Sequence, residues 1–201
     1  MKKLLFITLL TFTGFTIKAK AQNQTDKIDS IPKSNGEYGY EEVVKVDTNL
    51  KKDDLYKRSK LFFTDQFTSS KDVIQYDDRG EGKVIGKGNF RSSENSKIFI
   101  ANFTITLRID FSFEVVCKDG RYRYRIYNIE CYQNVANLAS DDPAGASSEP
   151  TVENLYLQTR KGANKKAVKL LLHDTVIKFD LLILELKKYM NNSNIEAKND
   201  F

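Results

Sequence analysis

The stretch from Phe103 to Cys131 constrains this chain more than any other, because its alternation is nearly unbroken and its turn is chemically specified. Phe103, Ile105, Leu107, Ile109, Phe111, Phe113, Val115 and Cys117 fall on one side of an extended strand. Thr104, Thr106, Arg108, Asp110, Ser112 and Glu114 fall on the other. A period of two with one apolar side predicts a strand half-buried against a core. Asp119-Gly120 then predicts a two-residue hairpin turn of type I′, which needs positive φ at both central positions. The chain is therefore read as an antiparallel sheet with one buried face. With the turn fixed there, Cys117 faces Tyr122, Cys131 faces Arg108, and Glu114 stands opposite Arg125, where an ion pair is the simplest use.

The start of the chain reads as a secretory signal peptide over residues 1–21. Lys2 and Lys3 form the positive region, Leu4 to Ile17 the apolar core, and Ala19-Lys20-Ala21 the cleavage site. A retained membrane anchor would need a longer apolar stretch with no early charges. Cleavage after Ala21 predicts a periplasmic or secreted mature chain beginning at Gln22, with no transmembrane helix. The precursor carries 32 basic and 27 acidic residues. Removing Lys2, Lys3, Lys18 and Lys20 from the 32 leaves 28 basic residues against the same 27 acidic. A mature chain so close to neutral has no global field to gather a polyanion, which argues against nucleic acid as a partner.

The remaining residues suit one domain. Residues 22–40 are polar and read as a flexible leader, and Asn191 to Phe201 as a disordered tail. Glu42 to Asp47 reads as a strand and Lys51 to Phe67 as a helix capped by Asn49 or Asp53. Leu55, Ser59, Phe62, Phe63, Gln66 and Phe67 lie near one face of it. Val73 to Asp77 and Lys83 to Phe90 read as two strands around an Asp78 to Gly82 turn, with polar Arg91 to Lys97 leading into the long hairpin. Residues 133–162, with Pro143, Gly145 and Pro150, read as a loop. Ala163 to Met190 reads as a long helix with Val168, Leu172, Thr175, Phe179, Leu182, Leu186 and Met190 along one stripe. The order strand, helix, four antiparallel strands, long helix predicts an α+β domain over 41–190, its sheet covered by helices on one face.

Four motifs in this order carry a family resemblance: Leu55-Tyr56-Lys57-Arg58, Val73 to Asp78, Gly82 to Gly88, and Lys118 to Tyr124. Over roughly Glu41 to Tyr132 the chain resembles the exported domain-of-unknown-function 4468 family of Bacteroidetes-type bacteria. The resemblance implies a TBP-like fold, β-α-β4-α, in agreement with the order read from the residues. It implies no established activity.

The candidate sites divide into chemistry and packing. Gly80, Gly82, Gly86 and Gly88 lie between and within strands rather than before a helix. They therefore predict a turn and close backbone approach, not a phosphate loop. Arg121, Arg123 and Arg125 share one sheet face and form either a solvated, partly paired surface or an anion or partner contact. His173 is the sole histidine and has no nucleophile motif beside it, so neither a triad nor a metal site is expected. Cys117 and Cys131, about 30 Å apart in this register, are expected as free thiols without a disulfide. Phe111, Phe113, Tyr122, Tyr124 and Phe179 either pack as core or line a space for a small apolar ligand between sheet and helix. No cofactor and no catalytic set is expected. The sequence thus predicts a non-catalytic protein of the envelope or exterior, an interaction module with a protein partner, with an apolar-ligand carrier as the alternative.

Overall fold

The computed structural model describes residues 30–34, 36–67, 73–98, 100–139 and 146–191. The signal peptide and most of the expected tail lie outside the described residues. The elements run β1 (Lys33–Ser34), β2 (Glu37–Tyr38), β3 (Tyr40–Lys45), α1 (Lys52–Gln66), β4 (Ile74–Asp78) and β5 (Lys83–Ile98). They continue with β6 (Ala101–Lys118), β7 (Arg121–Asn137), β8 (Ala146–Ser148), α2 (Val152–Arg160) and α3 (Lys165–Asn191). The main sheet has the order β3-β7-β6-β5-β4, antiparallel throughout, and β8 pairs with β7. No described helix is long and apolar enough to cross a membrane.

The hairpin forms where the alternation places it. Cys117 pairs with Tyr122 and Glu114 with Arg125. The turn itself differs from expectation. Gly120 lies at φ +67° while Asp119 stays out of the left-handed region, so the loop is not type I′. Its polar groups are instead stitched to the chain entering α1. Gly120 N–H donates to Leu50 O (2.9 Å), Val46 N–H donates to Gly120 O (3.0 Å), and Lys52 N–H donates to Asp119 Oδ1 (2.8 Å). The cap of α1 thus comes from Asp119, assisted by Asp54 Oδ2 accepting from Lys51 N–H (3.3 Å), and not from Asn49 or Asp53.

A β-bulge resets the far half of the hairpin. Asp110 pairs with Glu130 but Ser112 with Tyr127, so β7 spends one extra residue, and Asn128 takes φ 52°. Before the bulge the even residues Tyr122, Tyr124 and Ile126 are buried; after it the odd residues Cys131 and Gln133 are. Cys131 consequently pairs with Ile109 rather than Arg108 and enters the core.

Three further expectations are corrected. The strand expected to end at Phe90 continues to Ile98 as β5, pairing residue by residue with β6. Its inward Ser92 and Ser96 bond to Asp174 within α3 and to Asn164 just before it, which explains why no apolar alternation marked it. The region 133–162 is no loop throughout: it holds the end of β7, β8, and α2, whose N-cap Thr151 accepts from Asn154 N–H (3.2 Å). The leader is anchored at Ile31, only 2% exposed, whose N–H donates to Tyr156 Oη (2.7 Å).

Helices α1 and α3 cover the inner face with Leu55, Phe62, Phe63, Leu172, Phe179 and Leu186, all fully buried. Each such side chain removed from water contributes about 1.5 to 3 kcal/mol before entropy is counted. The glycines of β5 make the fit possible. A Cβ on Gly86 would stand 2.6 Å from the Phe63 ring, and one on Gly88 2.6 Å from Phe67 and 2.7 Å from Phe111. Close helix approach is therefore what the glycine-rich hairpin provides.

Candidate functional site

A sheet with helices on one face leaves the other face open, and that outer face gathers the chain's organised polar chemistry. Alternation sends Glu41, Val43 and Lys45 of β3 outward, beside Arg125, Arg123 and Arg121 of β7. Those in turn stand beside Glu114, Val116 and Lys118 of β6, with Ile85 and Lys83 of β5 next. Each row across the strands has its own character.

The row through Arg125 is acidic at its flanks, Glu114 on one side and Glu41 on the other. Glu114 is 6% exposed, and its carboxylate bridges Arg123 Nη2 (2.8 Å) and Lys83 Nζ (3.2 Å). Arg123 Nη1 also lies 3.7 Å from Glu41 Oε1, and Arg125 Nε 3.5 Å from Glu41 Oε2. The ion partner of Glu114 is thus the diagonal Arg123, not the directly opposite Arg125 expected from register. A guanidinium reaching diagonally lets Glu41 serve both arginines while Glu114 keeps Lys83. Of the three arginines singled out in the sequence, Arg123 and Arg125 are paired, and Arg121 lies in a row with no carboxylate abreast of it.

Aromatic rings complete the face. Arg125 lies over Tyr127 (4.9 Å to the ring centre), Arg108 over Tyr132 (5.0 Å) and Lys83 over Tyr76 (5.4 Å). Arg108 Nε also donates to Asp110 Oδ1 at 2.8 Å. Tyr132 reaches this face because the bulge shifts β7 by one residue; without it the ring would point inward. A change of apolar parity from Tyr122, Tyr124, Ile126 to Ile129, Cys131 around Asn128 was the sequence signal for it.

The inner face is occupied differently. Phe111, Phe113, Tyr122, Tyr124 and Phe179 are each 4% exposed or less. Their rings meet neighbours: Phe111 and Phe179 at 5.1 Å, Phe90 and Phe111 at 4.9 Å, Phe62 and Phe113 at 5.6 Å, Phe113 and Tyr124 at 6.3 Å. These separations are those of packed aromatic pairs. Tyr124 Oη donates to Glu42 Oε2 (2.8 Å), while the Tyr122 hydroxyl is buried without a partner among the described residues.

The other candidates are placed as follows. His173 is exposed on α3. Cys117 and Cys131 are free and buried, and burial pushes each thiol up to about 12. Among the described residues no three His, Cys, Asp or Glu side chains converge as a metal site.

Residues 40–132 match the family described as a domain of unknown function (DUF4468) with TBP-like fold. Among solved structures, a DUF4468 family protein from Bacteroides ovatus is similar at a TM-score of 0.53 and 12% identity, covering 81% of this chain and 91% of that one. A TBP-like protein from Parabacteroides distasonis aligns at a TM-score of 0.48 and 13% identity, over 80% of this chain and 96% of that one. No curated protein matches. The fold is thus the α+β, TBP-like one expected from the element order, with α2 added, and the segment 40–132 is similar to the DUF4468 family, as its four motifs implied.

Proposed function

We propose that the protein is an exported, non-catalytic interaction module whose contact surface is the open outer face of the sheet. The observation that carries this reading is the contrast between the two faces. The inner face is filled by interlocked rings, while the outer one holds three cation–aromatic pairs and a bridged carboxylate network in the open. Residues held in place by ion pairs and stacking lose little conformational freedom on binding, which favours their use as contacts. Tyr and Arg are also the residues that dominate interface energetics. Export rests on the leader sequence Met1 to Ala21.

The carrier alternative draws its support from the aromatic load alone, and the close ring separations leave it the weaker reading. Native mass spectrometry of the mature chain purified from its own envelope separates the two. The module reading expects a polypeptide beginning at Gln22 and joined by protein, without a small-molecule adduct. A discrete small mass that survives desolvation of the folded chain and is lost on denaturation would favour the carrier.

A further inference from the structure

The row of the outer face nearest the Asp119-Gly120 turn is built unlike the two behind it. Lys118 and Arg121 are direct cross-strand partners, and so are Arg121 and Lys45. All three side chains face outward and are exposed. Adjacent strands lie about 4.8 Å apart, so three cations stand abreast within roughly 10 Å. Like charges set directly opposite one another repel. The rows behind avoid this: Arg123 stands between Val43 and Val116, and Arg125 between Glu41 and Glu114.

Among the described residues no carboxylate forms an ion pair with Lys45, Lys118 or Arg121. Asp119 is the carboxylate beside them, and both its oxygens are engaged on the helix side. Oδ1 accepts from Lys52 N–H (2.8 Å) and Oδ2 lies 3.7 Å from Lys51 Nζ. A depression of about 520 Å³ crosses the row, lined by Lys45, Thr48, Lys118, Gly120 and Arg121, with Asp119, held by Lys51 and Lys52, at its rim. A second, of about 320 Å³, adjoins it over Val43 and Val116, and Val43 is 57% exposed.

We propose that Lys45, Lys118 and Arg121 bind an oxyanion of the phosphate class. The planar fork of Arg121 takes two oxygens and the ammonium groups flank them. The valine dent beside it receives whatever apolar part the anion carries. Free phosphate and a phospholipid headgroup share this chemistry. The inference does not depend on a protein partner, since its site is one end of the face and its ligand is small.

The test is an amide NMR titration at constant ionic strength, first with inorganic phosphate, then with phosphatidylglycerol vesicles against phosphatidylcholine vesicles. Three variants accompany the wild type: Arg121→Gln, Lys45→Gln with Lys118→Gln, and the control pair Lys87→Gln with Arg91→Gln, which removes charge elsewhere on the same face. Shifts are expected near residues 45–48 and 118–123, with affinity reduced about tenfold or more in the first two variants and little changed in the control. Phosphate should also raise the Tm of the wild type but not of Arg121→Gln, a readout in which loss of fold would be visible. Response to phosphate alone supports a free anion, response to anionic vesicles alone a headgroup, and response to both an accessible phosphate in either form. Shifts spread over the whole face, equal losses in the control, or no response to either probe would overturn the proposal.

Discussion

Asp119 and Lys52 lie 67 residues apart in sequence, and the carboxylate of the first accepts the backbone N–H of the second at 2.8 Å. The hairpin turn thereby serves as the N-cap of α1, joining the β6–β7 ladder to the helix that covers it. An acceptor at a helix N-terminus satisfies an otherwise orphaned donor and meets the positive end of the helix dipole. Asp119→Ala should therefore lower stability by about 1 to 2 kcal/mol, measured by urea unfolding. Asp119→Asn, which keeps the acceptor oxygen and a turn-forming residue, should retain most of it. Equal stability of the alanine variant and the wild type would show that the cap contributes nothing.

The packing of α1 depends on missing side chains. A methyl on Gly86 would meet the Phe63 ring at 2.6 Å, closer than carbon atoms approach, and Phe63 is fully buried. Gly86→Ala should cost about 1 to 3 kcal/mol through overpacking. The check is a lower thermal midpoint with altered near-UV aromatic signal, and Phe63→Leu in the same chain should recover part of the loss.

Acid should loosen the helices from the sheet. Hydrogen bonds from Lys187 and Tyr124 hold the Glu42 carboxyl below its ordinary 4.5. For Asp77, burial alone would raise the value, but the bonds from Lys60 (2.7 Å) and Tyr56 outweigh it and the result is below the usual 3.8. A carboxyl whose folded pKa is depressed stabilises the fold fully above its unfolded pKa, and that contribution is lost as pH falls through the folded value. Urea midpoints should be flat from neutrality to about pH 5 and fall below about pH 4. Asp77→Asn should be less stable at neutral pH and show a shallower acid decline; an unchanged decline would exclude Asp77 as a contributor.

Both thiols should be silent in the native state. Cys117 and Cys131 are buried and their thiols are pushed up to about 12, so thiolate is scarce near neutrality. An Ellman assay should find no reactive thiol before denaturation and two after it, with or without reductant. Finding fewer than two in unfolded, unreduced protein would reveal a disulfide and break the register of β6 against β7.

The hairpin and the long helix were legible because each buries one regular face, and burial is what writes periodicity into a sequence. Residues 92–97 carried no such mark, since Ser92 and Ser96 face the polar Asp174 of α3 and Asn164 just before that helix rather than an apolar surface. Helix α2 is short and follows a Pro-rich segment, so its Thr151 cap and the spacing of Val152, Leu155 and Thr159 were outweighed. The bulge at Asn128 was written only as a change of parity. The arginine face was legible as a face, but the choice of Arg123 over Arg125 by Glu114 depends on Glu41, whose strand joins the sheet from 80 residues upstream. The cationic row of Lys45, Lys118 and Arg121 likewise needs the pairing of three strands to be seen.

The most direct measurement is site-specific photo-cross-linking in the protein's own envelope, with the photoreactive residue placed at Asn89 or Asn134 on the outer face, or at Ile177 on the exposed side of α3 as control. A discrete protein adduct is expected from the two sheet positions and none from α3. Adducts from α3 alone, or none from the sheet, would contradict the claim that the open face is the contact surface.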